Sequence, residues 1–183
     1  MRGLEGRTLL SPWASQATRM FVTEDTGLYF VGRVPDPDSM EMPILVKLRE
    51  ARLEIPREMP YMLSFNQWYA NRPGSLYFIP VTDITTVYLN LLLVLFSSEC
   101  GYFVIDTDNG NETCGLDTFR RSRGGHLHDD IAKRRTMTLR DIDAAITDTA
   151  LQEQAIACQN MFLIEQAMGL GGGIHSVGSG RHL

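Results

Sequence analysis

The feature that most restricts the fold is a helical pattern of apolar residues that runs from Thr138 to Met168. Apolar side chains recur three or four positions apart, which is the spacing of one face of an α-helix. Thr138 and Asp141 have the spacing of a capping pair, so the helix is predicted to begin there. The polar stretch from Thr147 to Thr149 favours an interruption, giving two helices rather than one. The apolar positions that define the pattern are Ile142, Ile146, Ile156, Leu163 and Ile164.

The segment Gly169-Leu170-Gly171-Gly172-Gly173 follows this helical pattern directly. A dinucleotide-binding fingerprint has the opposite order, because its glycines follow a strand and open a helix whose N-terminus faces the pyrophosphate. Here the glycines meet the carbonyl end of a helix, which repels phosphate. The order argues against a Rossmann site and predicts that Gly169 caps the helix in the left-handed conformation. The later glycines predict a close approach to bare backbone, and Gly173 to Val177 a short strand.

The N-terminal half of the chain is rich in β-strand signals. Two β-rich runs separated by Asp25-Thr26-Gly27 predict a hairpin. The stretch 44–55 is ambiguous, because its apolar residues alternate as in a strand while its charged residues also suit a helix. Ser75 to Val81 and Tyr102 to Thr107 predict further strands, and residues 108–110 predict a turn.

Residues 84–98 predict a second helix, whose N-terminus either Thr82 or Asp83 can cap. Its apolar residues cover most of the helix circumference, which predicts a central, buried helix. The chain is thus β-rich at first, mixed in the middle and helical at the end. This order predicts an α+β fold.

Size and composition favour one globular domain spanning residues 1–183. The hydrophobic fraction is 44% and the formal net charge is −5, which argues against a general nucleic-acid-binding protein because phosphate recognition needs a basic surface. Three cysteines without paired spacing fit a reducing compartment better than a disulfide framework. No apolar run approaches the roughly 20 residues that span a bilayer, so a cytoplasmic protein without membrane attachment is expected.

Several polar clusters have a functional and a structural interpretation. The stretch 112–137 is predicted to be a polar, basic surface excursion, and it contains an arginine cluster at Arg120 to Arg123 that could bind phosphate. His126, His128 and Asp130 have the spacing of a metal-binding motif, although the histidine that usually completes such a motif is replaced by isoleucine. The sequence therefore keeps a metal-dependent hydrolase as one alternative and an ordinary polar loop as the other.

Two further stretches contain polar side chains in positions that favour contacts. Ser64 to Trp68 places amides beside an aromatic ring on a loop, which is common both in binding sites and at the edge of a core. Gln159 and Asn160 interrupt an apolar pattern, so at least one of their amides is predicted to face inward and bind a neighbouring backbone. No serine-nucleophile or phosphate-loop motif is present in the sequence. An enzymatic activity would therefore depend on a cofactor.

The sequence AIACQNMFLIEQAMGLGGGI resembles the late helix and following strand of the flavin-dependent nitroreductase superfamily. The resemblance extends over about 25 residues, from Gln152 to Ser176. The stretch SFNQW is similar to a degenerate form of the Asn-x-Gln-Pro-Trp sequence that leads into a strand in that family. Here Asn66, Gln67 and Trp68 are adjacent and the proline is missing.

The resemblance implies an α+β fold in which an antiparallel sheet is packed by long helices, and a homodimer that binds FMN. It also implies hydride transfer from NAD(P)H through FMN to a nitro compound, a quinone or a similar acceptor. The residues that would contact FMN are Gly171, Gly172, Gly173, Ile174, His175 and Asn66. The family's N-terminal arginine pair has no clear counterpart, and Arg52 and Arg57 are the arginines that precede SFNQW. The alternative is a non-catalytic α+β binding or interaction protein on the same scaffold that has lost the flavin.

Overall fold

The structure, a computed structural model, describes residues 17–32, 43–59, 61–95, 100, 102–114 and 135–174. These residues form two compact units. Unit 1 contains the described residues of Thr18–Thr82 and those from Gln154 onward, and unit 2 contains Ala17 and the described residues of Asp83–Glu153. The division falls inside one helix, so a single domain over residues 1–183 stays a prediction.

Unit 1 is built on a four-stranded antiparallel sheet. Its strands are β1 Thr18–Glu24, β2 Gly27–Val31, β3 Leu45–Arg49 and β4 Tyr77–Thr82. Their order in the sheet is β3-β2-β1-β4. The predicted hairpin is confirmed, and Asp25 and Thr26 form its turn. The ambiguous stretch 44–55 forms a strand at its start rather than a helix.

The hairpin turn is held by short-range contacts that explain its sequence. Gly27 lies where a Cβ atom would overlap the main-chain oxygen of Arg49, so the close approach of β3 requires glycine there. The hydroxyl of Thr23, which is fully buried, donates to the main-chain oxygen of Gly27. The rings of Phe21 and Phe30 lie opposite each other on β1 and β2, with centroids 5.4 Å apart. Aromatic cross-strand pairs of this kind stabilise antiparallel sheets.

Unit 2 contains a small sheet whose strands are β5 Tyr102–Asp106, β6 Glu112–Thr113 and β7 Arg135–Thr138. Their order in the sheet is β6-β5-β7. Strands β5 and β6 are antiparallel, whereas β5 and β7 are parallel. The strands and helices together confirm the predicted α+β class and the antiparallel main sheet.

Helix α1 spans Ile84–Leu95, and its predicted N-terminal cap is Asp83. One carboxylate oxygen of Asp83 accepts hydrogen bonds from the backbone N–H groups of Thr85 and Thr86. The prediction that α1 is buried nearly all round is wrong, because only one face enters the core and Leu89, for example, is 56% exposed. The buried core of unit 2 consists of Ala17, Val87, Leu91, Leu95, Val104, Ile142 and Ile146.

Helix α2 spans Leu139–Ala167 as one continuous helix of 29 residues, so the predicted interruption is wrong. The hydroxyls of Thr147 and Thr149 donate to main-chain oxygens four residues earlier, which satisfies them within the helix. The predicted capping pair is confirmed. Thr138 and Asp141 exchange backbone-to-side-chain hydrogen bonds of 3.0 and 3.1 Å. Within the described ranges, neither helix is long and apolar enough to cross a membrane.

The C-terminal end of α2 confirms the predicted glycine cap. Gly169 has φ +70°, its N–H donates to the main-chain oxygen of Gln166, and the N–H of Leu170 donates to that of Glu165. This is the Schellman pattern of hydrogen bonds. The predicted strand is not formed at Gly173 and Ile174, since no described strand offers residues 171–174 a hydrogen-bonded neighbour. The rest of that prediction lies outside the described residues.

Candidate functional site

The stretch SFNQW begins as a single 3₁₀ turn at Ser64–Asn66 in unit 1. The main-chain oxygen of Asn66 accepts hydrogen bonds from the N–H groups of Tyr69 and Ala70, which folds the loop tightly around this residue. Met62, one turn earlier, is 2% exposed and anchors the loop in the core of the unit. Asn66 itself is also 2% exposed. The loop therefore presents a rigid backbone with a buried amide at its centre.

Tyr69 connects this loop to the glycine segment that follows α2. Its hydroxyl donates a 2.8 Å hydrogen bond to Oδ1 of Asn66. A ring carbon of the same tyrosine lies 3.8 Å from the position that a Cβ atom would occupy on Gly173. Asn66, Tyr69 and Gly173, which we call the Tyr69 junction, thus bring together the two segments that the sequence singled out separately.

The glycines of the segment differ in their surroundings. A Cβ atom on Gly171 would meet no atom of the described residues within 4 Å, so these residues leave space beside that backbone. A Cβ atom on Gly172 would overlap the carboxylate of Glu165, which is folded back from the last turn of α2. Ile174 is 63% exposed, and His175 lies outside the described residues. The segment is therefore a bare backbone strip with a tyrosine ring near one end and a carboxylate over its middle.

More aromatic side chains surround Tyr69. The ring of Trp68 packs edge-on against it with centroids 4.8 Å apart, and Trp68 is nevertheless 69% exposed. Tyr77 on β4 is half-buried, and this burial, with a smaller contribution from the nearby Tyr69, raises the pKa of its hydroxyl. Phe65 is exposed on the same loop. Exposed rings beside a rigid polar backbone can stack on a flat ligand while the backbone binds its polar edge.

Arg52 does not have a free guanidinium for a phosphate group. Its Nε and Nη2 atoms donate to Oδ1 of Asp25 at 2.9 and 2.7 Å, and Nη1 donates to Asn71 at 2.8 Å. Nη2 also donates to the main-chain oxygen of Ser75. These bonds tie the β1–β2 turn to the loop before β4. The guanidinium, helped by the N–H of Gly74, holds the pKa of Asp25 below its usual value.

Arg72 was not singled out by the sequence, yet it lies on the loop that carries Tyr69. Its Nη1 atom donates a 2.6 Å hydrogen bond to the main-chain oxygen of Trp68, which orients the guanidinium relative to the aromatic residues. Arg72 is exposed, as is Arg57. In the sequence, the only indication that Arg72 belongs to this site is its position four residues after a tryptophan.

The structure describes only some of the other predicted sites. The metal motif at His126, His128 and Asp130 and the cluster at Arg120 to Arg123 lie outside the described residues. Within the described residues, no group of three or more His, Cys, Asp or Glu side chains is placed to hold a metal ion. Of the two adjacent amides in α2, Asn160 is half-buried and Gln159 is exposed. Another half-buried amide of α2 is that of Gln154, which donates to the hydroxyl of Thr82 at 2.9 Å.

Comparison with known proteins identifies no relative of this chain. No family model matches the chain. Neither a curated protein nor a solved structure matches it. The candidate site therefore rests on its own geometry.

Proposed function

We propose that this protein is a nitroreductase-like flavin oxidoreductase that holds FMN at the Tyr69 junction. It would transfer hydride from NAD(P)H to a nitro compound, a quinone or a similar acceptor. The observation that supports the proposal is the junction itself. Tyr69 bonds to Asn66 and its ring lies beside Gly173, and these two residues, distant in sequence, are both ones that the family resemblance associates with FMN.

The residues around the junction suit a flat ring with a polar edge. The bare backbone at Gly171 and Gly173 leaves room for close approach, and Trp68 and Tyr69 offer aromatic surface. Glu165 places a hydrogen-bond acceptor beside Gly172, which suits a ring N–H group. FMN, when bound, supplies the hydride-accepting ring, while the side chains of this protein bind and orient it.

The charges around the Tyr69 junction favour one orientation of FMN. The C-terminal end of α2 and the carboxylate of Glu165 both disfavour a phosphate beside the glycines. Arg72 is the cation that the loop presents next to the aromatic residues, whereas Arg52 is occupied by Asp25 and Asn71. We therefore assign the phosphate to Arg72 and the ring to the glycine segment.

The test compares FMN with riboflavin, which lacks the phosphate, by flavin fluorescence and visible absorption titrations. The unsubstituted protein should bind both, and FMN more tightly. Arg72→Gln should weaken FMN binding roughly 10- to 100-fold, since a hydrogen bond to a charged group contributes about 1.5–3 kcal/mol, and should leave riboflavin binding unchanged. Gly173→Leu should weaken both ligands because its side chain would occupy the space beside Tyr69.

Arg57→Gln is the matched control, because it removes an exposed arginine outside the junction and should affect neither ligand. Thermal unfolding of each variant checks that the fold is retained. If neither flavin binds the unsubstituted protein, the proposal is wrong. If FMN binds but NAD(P)H oxidation with nitro or quinone acceptors is absent, the site binds flavin without this catalysis.

The three cysteines support a cytoplasmic location as part of the same proposal. None of the three cysteines, Cys100, Cys114 and Cys158, takes part in a disulfide. Burial raises the pKa of the Cys158 thiol, which keeps it in its less reactive protonated form. Cysteines that do not form disulfides are typical of proteins in reducing compartments.

A further inference from the structure

Strand β3 is exposed along its whole length although most of its residues are apolar. It lies at one edge of the four-stranded sheet, where it pairs only with β2 among the strands that the structure describes. Exposed apolar edge strands are templates for pairing with another strand. The exposed fractions are 62% for Ile44 just before the strand, 56% for Leu45, 46% for Val46 and 53% for Leu48.

The backbone of β3 has hydrogen-bonding groups that point away from β2. The main-chain oxygen of Ile44 accepts a hydrogen bond from Gly32, and Val46 pairs with Phe30, so these two positions face β2. In an antiparallel ladder the direction alternates from one residue to the next. Leu45 and Lys47 therefore direct their N–H and C=O groups toward the side on which no described strand pairs with β3.

The two edges of the sheet are protected differently. Strand β4, at the opposite edge, contains Pro80, whose missing N–H discourages further pairing. Strand β3 has no proline. The ammonium group of Lys47, which could protect the edge by its charge, donates to the carboxylate of Glu50 at 2.5 Å and lies 5.9 Å from the centroid of the Tyr29 ring. The positive charge of Lys47 is thus paired with groups of the same molecule.

We propose that β3 pairs antiparallel with β3 of a second copy of this chain, about a two-fold axis at Val46. Val46 then lies opposite Val46 of the second copy, and Leu45 lies opposite Lys47, so that the outward N–H and C=O groups of both strands are bonded. The same register places Ile44 opposite Leu48. Such an interface is isologous, because one strand is complementary to itself.

The two neighbouring registers of the β3–β3 pair are less favourable. An axis at Lys47 would place two ammonium groups directly opposite each other, which destabilises a strand pair. An axis at Leu45 would place Lys47 opposite Pro43, which has no N–H to donate. The register at Val46 avoids both problems and uses every outward group of the regular part of the strand.

Disulfide trapping tests the register directly. Val46→Cys should give a covalent dimer on mild oxidation, because residues at a non-hydrogen-bonded position on the axis lie about 4.5 Å apart between Cα atoms, within disulfide reach. Lys47→Cys should give much less, since its counterpart is Leu45 rather than a second cysteine. The unsubstituted protein, oxidised in parallel, reports any bridging by its native cysteines. Failure of Val46→Cys to cross-link would overturn the proposal.

Sedimentation velocity without flavin tests the interface independently of the proposed activity. The unsubstituted protein should be a dimer, and Val46→Lys should be a monomer. Val81→Lys is the matched control on the proline-containing edge, where Val81 is 47% exposed, and it should remain a dimer. A monomeric unsubstituted protein, or a Val46→Lys variant that stays dimeric, would show that β3 does not form this interface.

Discussion

The hydroxyl of Tyr69 donates a 2.8 Å hydrogen bond to a side-chain oxygen of Asn66 that is sealed inside unit 1. The same ring lies 3.8 Å from the Cβ position of Gly173. Tyr69 therefore has two roles, because its hydroxyl donates to a buried acceptor and its ring lies beside the glycine segment. Disturbing Tyr69 should affect both the stability of the loop and the surface that we assign to flavin.

Replacing Tyr69 by Phe removes the donor and keeps the ring. We expect the free energy of unfolding to fall by about 1–3 kcal/mol, because the buried oxygen of Asn66 loses its partner. Tyr29→Phe is the matched control, since its hydroxyl bonds to the exposed Thr26, and it should change stability much less. Urea unfolding measures both variants, and equal effects would contradict the structural role of Tyr69.

The pH dependence of stability should contain a contribution from Asp25. Bonds from Arg52 and Gly74 lower its folded-state pKa below the ordinary value of 3.8. The stabilisation is therefore complete above about pH 4, where the unfolded carboxyl is also ionised, and is lost as the pH falls through the folded-state pKa. Asp25→Asn should flatten the acid side of the stability curve.

The measurement is the urea midpoint between neutral pH and about pH 3 for both proteins. Asp141 also has a lowered pKa, owing to its bonds from Thr138, and its contribution remains in both. The acid loss should thus be smaller in Asp25→Asn but not absent. Identical slopes for the two proteins would show that the Arg52 bonds do not stabilise the ionised carboxylate.

The glycine cap of α2 should be sensitive to substitution at one position only. Gly169 has φ +70°, so Gly169→Ala places a Cβ atom in the left-handed region at a cost of about 1–2 kcal/mol. Gly171→Ala is the control, because Gly171 has no positive φ and a Cβ atom there would meet nothing within 4 Å. Thermal unfolding should separate the two variants. A larger loss for Gly171→Ala would contradict the cap.

Two leucines on α1 should differ sharply when truncated. Leu91 is 6% exposed in the core of unit 2, so Leu91→Ala should cost about 2–5 kcal/mol through lost burial and the cavity that remains. Leu89 is 56% exposed, and Leu89→Ala should cost far less. Chemical unfolding of the two variants compares them in the same helix. Similar losses would show that both faces of α1 are buried.

Much of the local structure followed from sequence patterns. Sequence patterns correctly predicted the hairpin at Asp25 and Thr26, the Thr138–Asp141 pair and the glycine cap. They also limited the cap of α1 to two residues, of which the structure uses Asp83. Each depends on hydrogen bonds between residues a few positions apart, or on a backbone angle that one residue type prefers. The predicted break in α2 was wrong, because the hydroxyls of Thr147 and Thr149 bond within the helix instead of ending it.

The candidate site was only partly predictable. Asn66 and the glycines were singled out by resemblance, but Tyr69, which joins them, carried no sequence signal of its own. Arg52 was an arginine at a suitable distance along the chain, and only the fold revealed that Asp25 and Asn71 occupy it. Which basic side chain is free for a ligand depends on which acidic and amide groups the fold brings to it.

The sequence by itself determined the helix caps, the hairpin turn and which segments are helical, since capping, turn geometry and apolar periodicity act over a few residues. Only the tertiary structure decided which face of α1 is buried, that β3 lies exposed at a sheet edge, and that Tyr69 meets Gly173. These outcomes depend on contacts between residues far apart in the chain. A local pattern records that a residue is apolar or polar, but not which distant surface covers it.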